Sequence, residues 1–490
     1  MELKKIIQDI DIDAITGDLE QEITDIVFDS RRVRSGNLFV AIRGYETDGH
    51  LYIDQALSAG AAVIVCETEL PAEKTGAQPD EKPSITWIRV TDSRRALALM
   101  ASAFHGHPSR ELQLVGITGT NGKTTIASLL HRLHTLLGFQ SGLLSTIHVL
   151  IGEEAKPATH TTPDPVRING LLRQMVDSGC EYCFIEVSSH AVAQQRTGGL
   201  KFTGGVFTNI TRDHLDYHSD FREYLNAKKG FFDSLPADAF ALVNSDDRNG
   251  PVMLQNCEAA KKTYSLRSHG GFTGKIKELH LEGTSMLIDG REVWINLPGR
   301  FNAGNMLAVY GTAVLLGHHP DDVIRALSQL GPVRGRFETY RSPGGVTAIV
   351  DYAHTPDALQ NVLETIREVN IAGGNIITVV GAGGNRDRGK RPAMARIAAG
   401  GSQRLILTSD NPRFEDPEQI LDDMMKGLPA DLAERTLRIV GREEAIRTAC
   451  LMAGSKDMIL VAGKGHEQTQ EIRGEKVRFD DMEIIRKNLK

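Results

Sequence analysis

The chain has 490 residues, enough for about three domains of ordinary size. Its 56 basic and 63 acidic residues give a net charge of −7, which argues against a protein that binds nucleic acid electrostatically. The composition (41% hydrophobic residues, 48 glycines, 6% aromatics) excludes global disorder and favours an α/β protein over an all-β sandwich.

The N-terminal segment alternates charged and apolar residues and lacks the apolar core of a signal peptide. Apolar runs are strand-sized, far below the ~18 residues that a membrane span needs. Five cysteines are too few and too scattered for a disulfide framework, and the C-x-x-C at Cys180 and Cys183 has no second pair, so buried thiols are favoured over zinc or redox chemistry. We expect a cytoplasmic protein without membrane insertion.

Residues 1–108 are predicted to form a small α/β N-terminal domain. Strand-like runs stand at 23–28, 38–42, 61–65 and 85–90, helices near 52–60 and 93–105, a polar loop at 75–84, and a linker at 105–110.

Residues 109–332 are predicted to form a central P-loop mononucleotide-binding domain with a parallel sheet. Strands are expected near 142–147, 183–188, 205–210 and 239–244, short antiparallel strands within 262–297, and helices from Phe301 and near 320–330.

Residues 333–490 alternate strands and helices and predict a Rossmann-like, doubly wound domain. The strands are expected within 346–352, 375–381, 404–409, 436–441 and 457–463, and the helices near 357–369, 390–399, 417–427 and 443–453.

The segment GITGTNGKTT (116–125) lies between an apolar run and a helix, the context of a phosphate-binding loop. Its glycines allow backbone N–H groups to approach phosphate oxygens, and the helix N-terminus adds positive potential. Lys123 would reach the β- and γ-phosphates, and the Thr124 hydroxyl would hold Mg²⁺. Ile117 replaces the first glycine of the strict pattern, which leaves G-x-x-G-x-x-G-K-T with Gly116, Gly119 and Gly122. A nucleotide site is favoured over a glycine-rich turn with an exposed lysine.

Other nucleotide-dependent classes fit less well. The chain shows no N-K-x-D guanine motif, and Glu186 is a single acid at the end of its strand, sufficient for Mg²⁺ but not for a motor.

The segment 209–218 places Asp213, His214, Asp216 and His218 just past another strand. Because ligands of open α/β sheets bind at the carboxyl ends of strands, Thr124, Glu186 and His214 are expected to converge. The alternative is a capping turn with solvated charges.

Three further positions carry ambiguous signals. Asn302 and Asn305 stand at i, i+3 on a helix, which suits ribose or purine contacts, although capping alone explains Asn302. Arg336 precedes a strand that ends at Asp351, a plausible ribose or Mg²⁺ partner. Lys228 and Lys229, taken alone, are typical of a solvated helix face.

Together these segments resemble the Mur ligases over essentially the whole chain. The resemblance rests on GTNGKTT, EVSSH, TNITRDHLDYH, NAKKG, NAGN, GRFE and DYAHTP, in that order. It implies ATP-dependent amide-bond formation through an acyl-phosphate, with ATP and Mg²⁺ as cofactors. The subgroup that the chain resembles adds the third amino acid to UDP-N-acetylmuramoyl-L-alanyl-D-glutamate in cytoplasmic peptidoglycan precursor synthesis.

The segment DNPR (410–413) matches the diaminopimelate-adding members. Meso-diaminopimelate differs from lysine by a second carboxylate, and arginine binds carboxylates with a bidentate fork. Asp410 could pair with the distal ammonium. The resemblance assigns the diaminopimelate pocket to these residues: Arg386, Asp410, Asn411, Pro412, Arg413, Gly463 and Glu467.

The resemblance also implies the remaining assignments. For ATP they are Gly119, Thr120, Asn121, Gly122, Lys123, Thr124, Thr125, Asn302, Asn305, Arg336 and Asp351; for the UDP-muramoyl-dipeptide they are Ser30, Thr161, Thr162, Ser188, Gln194 and Arg196. The uridine loop at Tyr45, Glu46 and Thr47 departs from some relatives. Lys228 matches the lysine that the family carbamylates, so that Mg²⁺ would be held by Thr124, Glu186, His214 and carbamylated Lys228. The expected catalytic residues are Lys123, Glu186, His214 and Lys228.

Three alternatives stay open. A lysine-adding synthetase shares most motifs; a folylpolyglutamate synthetase shares the phosphate loop, but the segment 1–105 argues against it. A P-loop ATPase that drives a partner's conformational change would hydrolyse ATP without needing an amino acid. We expect a monomer whose partners are small-molecule substrates.

Overall fold

The computed structural model describes residues 1–44, 47–69, 85–158, 160–213, 216–267 and 270–489. The chain divides into two compact units, Met1–Gly116 with Phe139–Gly204, and Ile117–Gly138 with Gly205–Lys490. The three-domain division at residues 108 and 332 stays a prediction. In the described ranges, no helix is both long enough and apolar enough to cross a membrane.

The N-terminal segment forms a five-stranded sheet of order β1-β5-β4-β3-β2, in which only β1 is antiparallel to its neighbour. Its elements are α1 (Leu3–Ile6), β1 (Ala14–Thr16), β2 (Ile26–Val27), β3 (Leu38–Val40), α2 (Ile53–Ser58), β4 (Val63–Cys66), β5 (Thr86–Arg89) and α3 (Ser93–Phe104). Alternate residues of β4 face opposite sides: Val63 packs toward α3 and Ile64 toward α2. The predicted strands and helices are confirmed; the predicted loop at 75–84 lies outside the described residues.

The next segment completes the first unit. Its elements are β6 (Gln113–Thr118), α4 (Lys123–Leu136), β7 (Ser141–Leu144), β8 (His148–Ile151), β9 (Glu154–Pro157), α5 (Pro165–Asp177), β10 (Tyr182–Glu186) and α6 (Ser189–Ala193), of which α4 belongs to the second unit. β10 pairs in parallel with β7, and β8 and β9 continue as antiparallel strands. Ser188 caps α6 by accepting a hydrogen bond from the Ala191 N–H.

In the second unit, strands run in the order β16-β15-β14-β13-β12-β11. The elements are β11 (Gly204–Phe207), α7 (Phe221–Asp233), β12 (Phe240–Asn244), α8 (Gly250–Met253), β13 (Ala260–Ser265), β14 (Phe272–Leu279), β15 (Thr284–Ile288), β16 (Arg291–Ile295), α9 (Arg300–Leu315) and α10 (Pro320–Leu327). The antiparallel prediction for 262–297 holds for β14–β16 but is wrong for β13, which is parallel to β12. The chain crosses over through α8 between β12 and β13, and such a crossover returns the second strand in the same direction as the first. A tight hairpin would have made the two strands antiparallel.

The C-terminal part of the second unit is a six-stranded sheet of order β17-β18-β22-β19-β20-β21. Its elements are β17 (Glu338–Arg341), β18 (Thr347–Asp351), α11 (Pro356–Val369), β19 (Ile376–Val380), α12 (Lys390–Gly401), β20 (Arg404–Leu407), α13 (Pro417–Met425), α14 (Ala430–Ala433), β21 (Thr436–Arg438), α15 (Arg442–Met452), β22 (Met458–Ala462), β23 (Thr469–Ile472), β24 (Glu475–Arg478) and α16 (Asp481–Asn488).

Helices cover both faces of this sheet. Ile349 and its same-face neighbours pack against α11, α12 and α13, whereas Val350 packs with α15 and α16. The predicted doubly wound sheet is confirmed, with β17 as an antiparallel edge strand. The loops after β18, β19, β20 and β22 leave the same edge of the sheet, the edge at which ligands of such folds bind.

Candidate active site

The phosphate loop lies between β6 and α4, as the sequence predicts. Gly119 and Gly122 have φ of +149° and +90°, a region that favours glycine. A Cβ at Gly119 would stand 1.8 Å from Thr208 Oγ1, and one at Gly122 would stand 2.7 Å from Asn305 Oδ1. Only glycine therefore fits either position, and the loop is held from one side by Asn209, which accepts from the Thr120 and Asn121 N–H groups at 2.8 and 3.0 Å.

Two lysines meet at one backbone carbonyl of this loop. Lys123 Nζ donates to Gly119 O at 2.8 Å and to Thr120 O at 2.9 Å, and Lys228 Nζ donates to Gly119 O at 2.8 Å. Lys228 is buried, with Nζ 4.7 Å from the centre of the Tyr224 ring. Burial, reinforced by the charge of Lys123 and opposed by Asp213, holds the pKa of Lys228 well below its usual range. The expectation of a solvated helix face is wrong for Lys228, because α7 packs that face into the unit.

The two asparagines of α9 lie beside the same loop. Asn305 Nδ2 donates to Asn302 Oδ1 at 3.3 Å, and Asn302 Nδ2 donates to Pro298 O at 2.9 Å. Their predicted common face is confirmed, and Asn305 is the residue that crowds Gly122. Both side chains are buried.

The C-terminal sheet contributes an arginine to the phosphate loop. Arg336 Nη2 donates to Thr124 Oγ1 at 3.0 Å, and its guanidinium carbon is 4.4 Å from the centre of the Tyr352 ring. Asp351 Oδ2 accepts from the Phe337 N–H at 2.7 Å. Burial raises the pKa of Asp351 to about 6, although Arg336 acts in the opposite direction.

The other loop residues are also engaged within the unit. Thr120 Oγ1 is 3.0 Å from the Tyr224 hydroxyl, and Asn121 Nδ2 donates to Asp357 Oδ2 at 3.1 Å. Thr125 is buried in the first turn of α4. The phosphate loop therefore contacts both α7 and the N-terminus of α11, two elements far apart in the sequence.

A second cluster follows β20 and β22. Lys464 Nζ donates to Asn411 Oδ1 and to Glu467 Oε2, each at 2.9 Å, and Asn411 Nδ2 donates to Glu467 Oε2 at 2.8 Å. Gly463 has φ of +112°, and a Cβ there would stand 2.6 Å from Asp410 Oδ2. Burial alone would raise the pKa of Asp410, but the positive charges of Lys464 and Arg442 hold it below its usual range.

Two predicted arginines flank Gly383 at the mouth of this cluster. Arg413 Nη1 donates to Gly384 O at 2.8 Å, and Arg413 Nε is 3.5 Å from Glu471 Oε2. Arg386 Nη1 is 3.5 Å from Asp216 Oδ2, and 48% of its side chain is exposed. The structure thus brings together the predicted diaminopimelate residues, including Pro412, whose backbone carbonyl crowds Gly384.

In the first unit, five predicted residues form one hydrogen-bonded group. The Thr162 hydroxyl donates to Glu186 O at 2.7 Å and accepts from the Ser188 N–H at 3.1 Å. Arg196 Nη1 donates to Thr162 O at 2.7 Å, and its Nη2 donates to Gln194 Oε1 at 2.7 Å.

The carboxylate at the end of β10 extends this group. Glu186 is buried and accepts from the Thr146 N–H at 2.7 Å, and the Thr146 hydroxyl donates to Thr161 Oγ1 at 3.1 Å. The group therefore unites a guanidinium, hydroxyls and a carboxylate, a set suited to a polar, anionic ligand.

Other predicted residues lie elsewhere or are not described. Ser30 belongs to a separate cluster, where its hydroxyl donates to Gln55 Oε1 at 2.9 Å. The Thr47 hydroxyl donates to the Tyr52 hydroxyl at 3.2 Å, while Tyr45, Glu46 and His214 lie outside the described residues. All five cysteines are buried free thiols, as predicted, and burial raises the pKa of Cys183.

Sequence reasoning did not single out Lys464, Tyr352 or Asp357. Lys464 lies between the predicted Gly463 and Glu467, so the AGKGHE segment contained a signal for it. Tyr352 directly follows the predicted Asp351 within DYAHTP; it contacts Arg336 and lies 5.0 Å from His466 between ring centres. Among the described residues, no group of three or more His, Cys, Asp or Glu side chains is arranged to hold a metal ion.

Comparison with known proteins gives matches along most of the chain. Residues 22–105 match the Mur ligase family catalytic domain, residues 117–313 the Mur ligase middle domain, and residues 335–465 the Mur ligase glutamate ligase domain.

Whole proteins are similar over nearly their full length. A UDP-N-acetylmuramoyl-L-alanyl-D-glutamate--2,6-diaminopimelate ligase from Parabacteroides distasonis is 56% identical over 99% of this chain and 98% of its own. A solved structure of a ligase with that name is 31% identical, with a TM-score of 0.68 over 100% of this chain and 98% of its own. MurF ligase from Thermotoga maritima, crystallised with ADP, shares the fold at 19% identity, with a TM-score of 0.63 over 96% of this chain and 98% of its own.

Proposed function

This chain belongs to the Mur ligase family, and we propose that it is the ATP-dependent ligase that adds meso-diaminopimelate to UDP-N-acetylmuramoyl-L-alanyl-D-glutamate. The observation that carries the choice of amino acid is the pocket after β19, β20 and β22, where Arg413 and Arg386 flank Gly383 beside the carboxylates of Asp410 and Glu467. Diaminopimelate carries two carboxylates and two amino groups, so this pocket offers guanidinium groups for the former and carboxylates for the latter.

The proposed reaction has two steps. A carboxylate oxygen of the substrate's D-glutamate attacks the γ-phosphorus of ATP, giving an acyl-phosphate and ADP. The amine of diaminopimelate then attacks the acyl carbon, loses a proton and expels inorganic phosphate, so that an amide bond replaces the acyl–oxygen bond. Negative charge grows on phosphoryl oxygens in the first step, and preorganised cations and N–H donors stabilise it.

ATP would be bound by the phosphate loop and the residues beside it. Lys123 and the backbone N–H groups at the N-terminus of α4, within the loop Gly119–Thr125, would bind the phosphates. Arg336 already reaches Thr124 and would carry its charge to the same phosphates, while Asp351 would orient the ribose. Asn305, which donates to Asn302, lies beside Gly122, and both amides would contribute to the nucleotide site.

The reaction also calls for Mg²⁺, which prefers hard oxygen ligands such as carboxylates and hydroxyls. We propose Thr124, Glu186, His214 and carbamylated Lys228 as the residues that hold it. The buried Lys228 amine suits carbamylation: its nitrogen would bond to the carbon of CO₂ and lose a proton, giving an anion with two oxygens. When bound, Mg²⁺ would neutralise charge on the phosphates.

The substrate's sugar-peptide end would bind to the first unit. Arg196, with Thr161, Thr162, Ser188 and Gln194 around it, suits the D-glutamate carboxylate, and Ser30 would contact the uridine. We place the reaction in the cytoplasm, where ATP is available, within peptidoglycan precursor synthesis and with small molecules alone as partners.

Phosphate release tests the proposal. The protein is incubated with the UDP-muramoyl-dipeptide and ATP, with diaminopimelate, lysine or no amino acid, and with Lys123→Met as the inactive control. We expect phosphate release that depends on diaminopimelate, together with a UDP-muramoyl-tripeptide product. A preference for lysine would contradict the assignment of Arg413, and release without any amino acid would favour the P-loop ATPase.

A further inference from the structure

Lys464 is a fully buried lysine in the loop after β22. Its Nζ donates at 2.9 Å to Asn411 Oδ1, in the loop after β20, and at 2.9 Å to Glu467 Oε2, in its own loop. A lysine ammonium has three donors and no acceptor, so two of its donors join two loops of the pocket. Because it is buried, Lys464 cannot itself touch a ligand that enters from solvent.

The contacts of Lys464 close a ring of three side chains. Asn411 Oδ1 also accepts from the Glu471 N–H at 3.0 Å, and Asn411 Nδ2 donates to Glu467 Oε2 at 2.8 Å. These bonds determine which way the Asn411 amide points. Asn411 Oδ1 and one N–H of Nδ2 are thus engaged by protein, so Asn411 supports the pocket wall.

The ring engages only one oxygen of Glu467. Both hydrogen bonds go to Oε2; within the described residues, Oε1 accepts none. The side chain is 28% exposed, so this carboxylate faces the solvent-accessible side of the pocket. A carboxylate held by one oxygen and open at the other is well arranged to accept an ammonium group.

We propose that Lys464 is a positioning residue of the amino-acid pocket: it fixes Glu467 and Asn411 so that Glu467 Oε1 receives an ammonium group of the incoming diamino acid. This proposal rests on the proposed function for the identity of that amino acid. Without Lys464, Glu467 would lose one of its two donors and the only cationic one in this ring, and its carboxylate could adopt other rotamers.

The test is Lys464→Met, which keeps the length of the side chain and removes its donors. We expect kcat/KM for diaminopimelate to fall by about 10- to 100-fold, as for loss of a charged hydrogen bond. KM values for ATP and for the UDP-muramoyl-dipeptide should stay within about twofold, because their proposed sites do not include this ring. A fall shared equally by all three substrates, or no change, would overturn the positioning role.

A double-mutant cycle separates positioning from general stability. If Lys464 acts through Glu467, then Lys464→Met in a Glu467→Gln background should cost little beyond Glu467→Gln alone. Additive losses would contradict the proposal. The matched control is Lys229→Met, since Lys229 is also buried but pairs with Asp233 at 2.7 Å on α7, away from the pocket.

A second variant and a second amino acid as substrate complete the test. Should Lys464→Met fail to fold, Lys464→Gln retains an amide donor, and an intermediate, diaminopimelate-selective loss is expected; a uniform loss would count against the proposal. Should the wild-type protein use lysine instead of diaminopimelate, the proposed function fails. The same kinetic comparison made with lysine would then still test Lys464, since lysine also carries an ammonium group.

Discussion

Basic side chains are held by different kinds of partner in two regions of this chain. Around the phosphate loop, Lys123 and Lys228 donate to backbone carbonyls, and Gly119 O receives both. In the C-terminal region, Arg391 lies between Glu415 and Asp423, and Arg442 forms a bidentate pair with Asp481. These acceptors of the two lysines are neutral carbonyls, whereas those of the two arginines include carboxylates.

The difference follows from what each region must bind. A lysine that donates to neutral backbone carbonyls can exchange them for the oxygens of a triphosphate, whereas an arginine in a buried bidentate pair is already balanced by its carboxylate. Carbamylation would in turn convert the Lys228 amine into an anion. In the C-terminal region the looser pairs, Arg386 with Asp216 and Arg413 with Glu471, each at 3.5 Å, leave guanidinium groups available for the carboxylates of an amino acid.

The largest effect should come from breaking a compensated pair. Arg442→Met leaves Asp481 buried without its partner, and we expect the free energy of unfolding to fall by about 3–5 kcal/mol. Urea denaturation measures this. Changing both residues, as Arg442→Met with Asp481→Leu, should recover much of the loss, because no buried charge is then left alone. The exposed pair gives the control: Arg438→Met should cost at most about 1 kcal/mol. A cost this small for Arg442→Met would contradict the compensation argument.

The next largest effect concerns catalysis at Lys228, beside the phosphate loop. Lys228→Ala should lower kcat by about 100- to 1000-fold, the usual cost of removing one preorganised electrostatic group. Added short carboxylates, such as formate or propionate, should restore part of the activity if a carbamate is what the site uses. Lys229→Ala is the control, because Lys229 pairs with Asp233 instead. Full activity of Lys228→Ala would remove the carbamate from the mechanism.

Sequence patterns could predict the phosphate loop because its glycine spacing, Lys123 and the flanking strand and helix all lie within a short segment. The alternation of strands and helices predicted the C-terminal sheet for the same local reason. The hairpin of β23 and β24 escaped prediction because its residues are mostly polar, with weak alternation. The role of Lys464 was not predicted because a lysine among glycines is typical of a solvated loop. Its burial becomes evident only when the loops after β20 and β22 are seen to meet.

Specificity should change at the loosely paired arginine. Arg413→Ala is expected to lower kcat/KM for diaminopimelate by about 10- to 100-fold, since a charged hydrogen bond to the distal carboxylate is lost. Turnover of lysine, which has no such carboxylate, should change little, so the ratio of the two is the measurement. Arg473→Ala, a change in the turn that joins β23 and β24, serves as the control. An equal loss for both amino acids would assign Arg413 a structural role only.

The smallest effect compares the two buried lysines directly. Lys228→Met removes an amine that, among the described residues, forms no ion pair with a carboxylate, so stability should change by less than about 1 kcal/mol or increase. Lys464→Met strips donors from Glu467 and Asn411 and should cost about 1–3 kcal/mol. Thermal or urea unfolding of both variants, without nucleotide and in CO₂-depleted buffer, measures the difference. Equal destabilisation of both variants would mean that the hydrogen-bond partners of a buried lysine do not determine its contribution to the free energy of unfolding. The contrast between the two regions would then rest on the catalytic measurements alone.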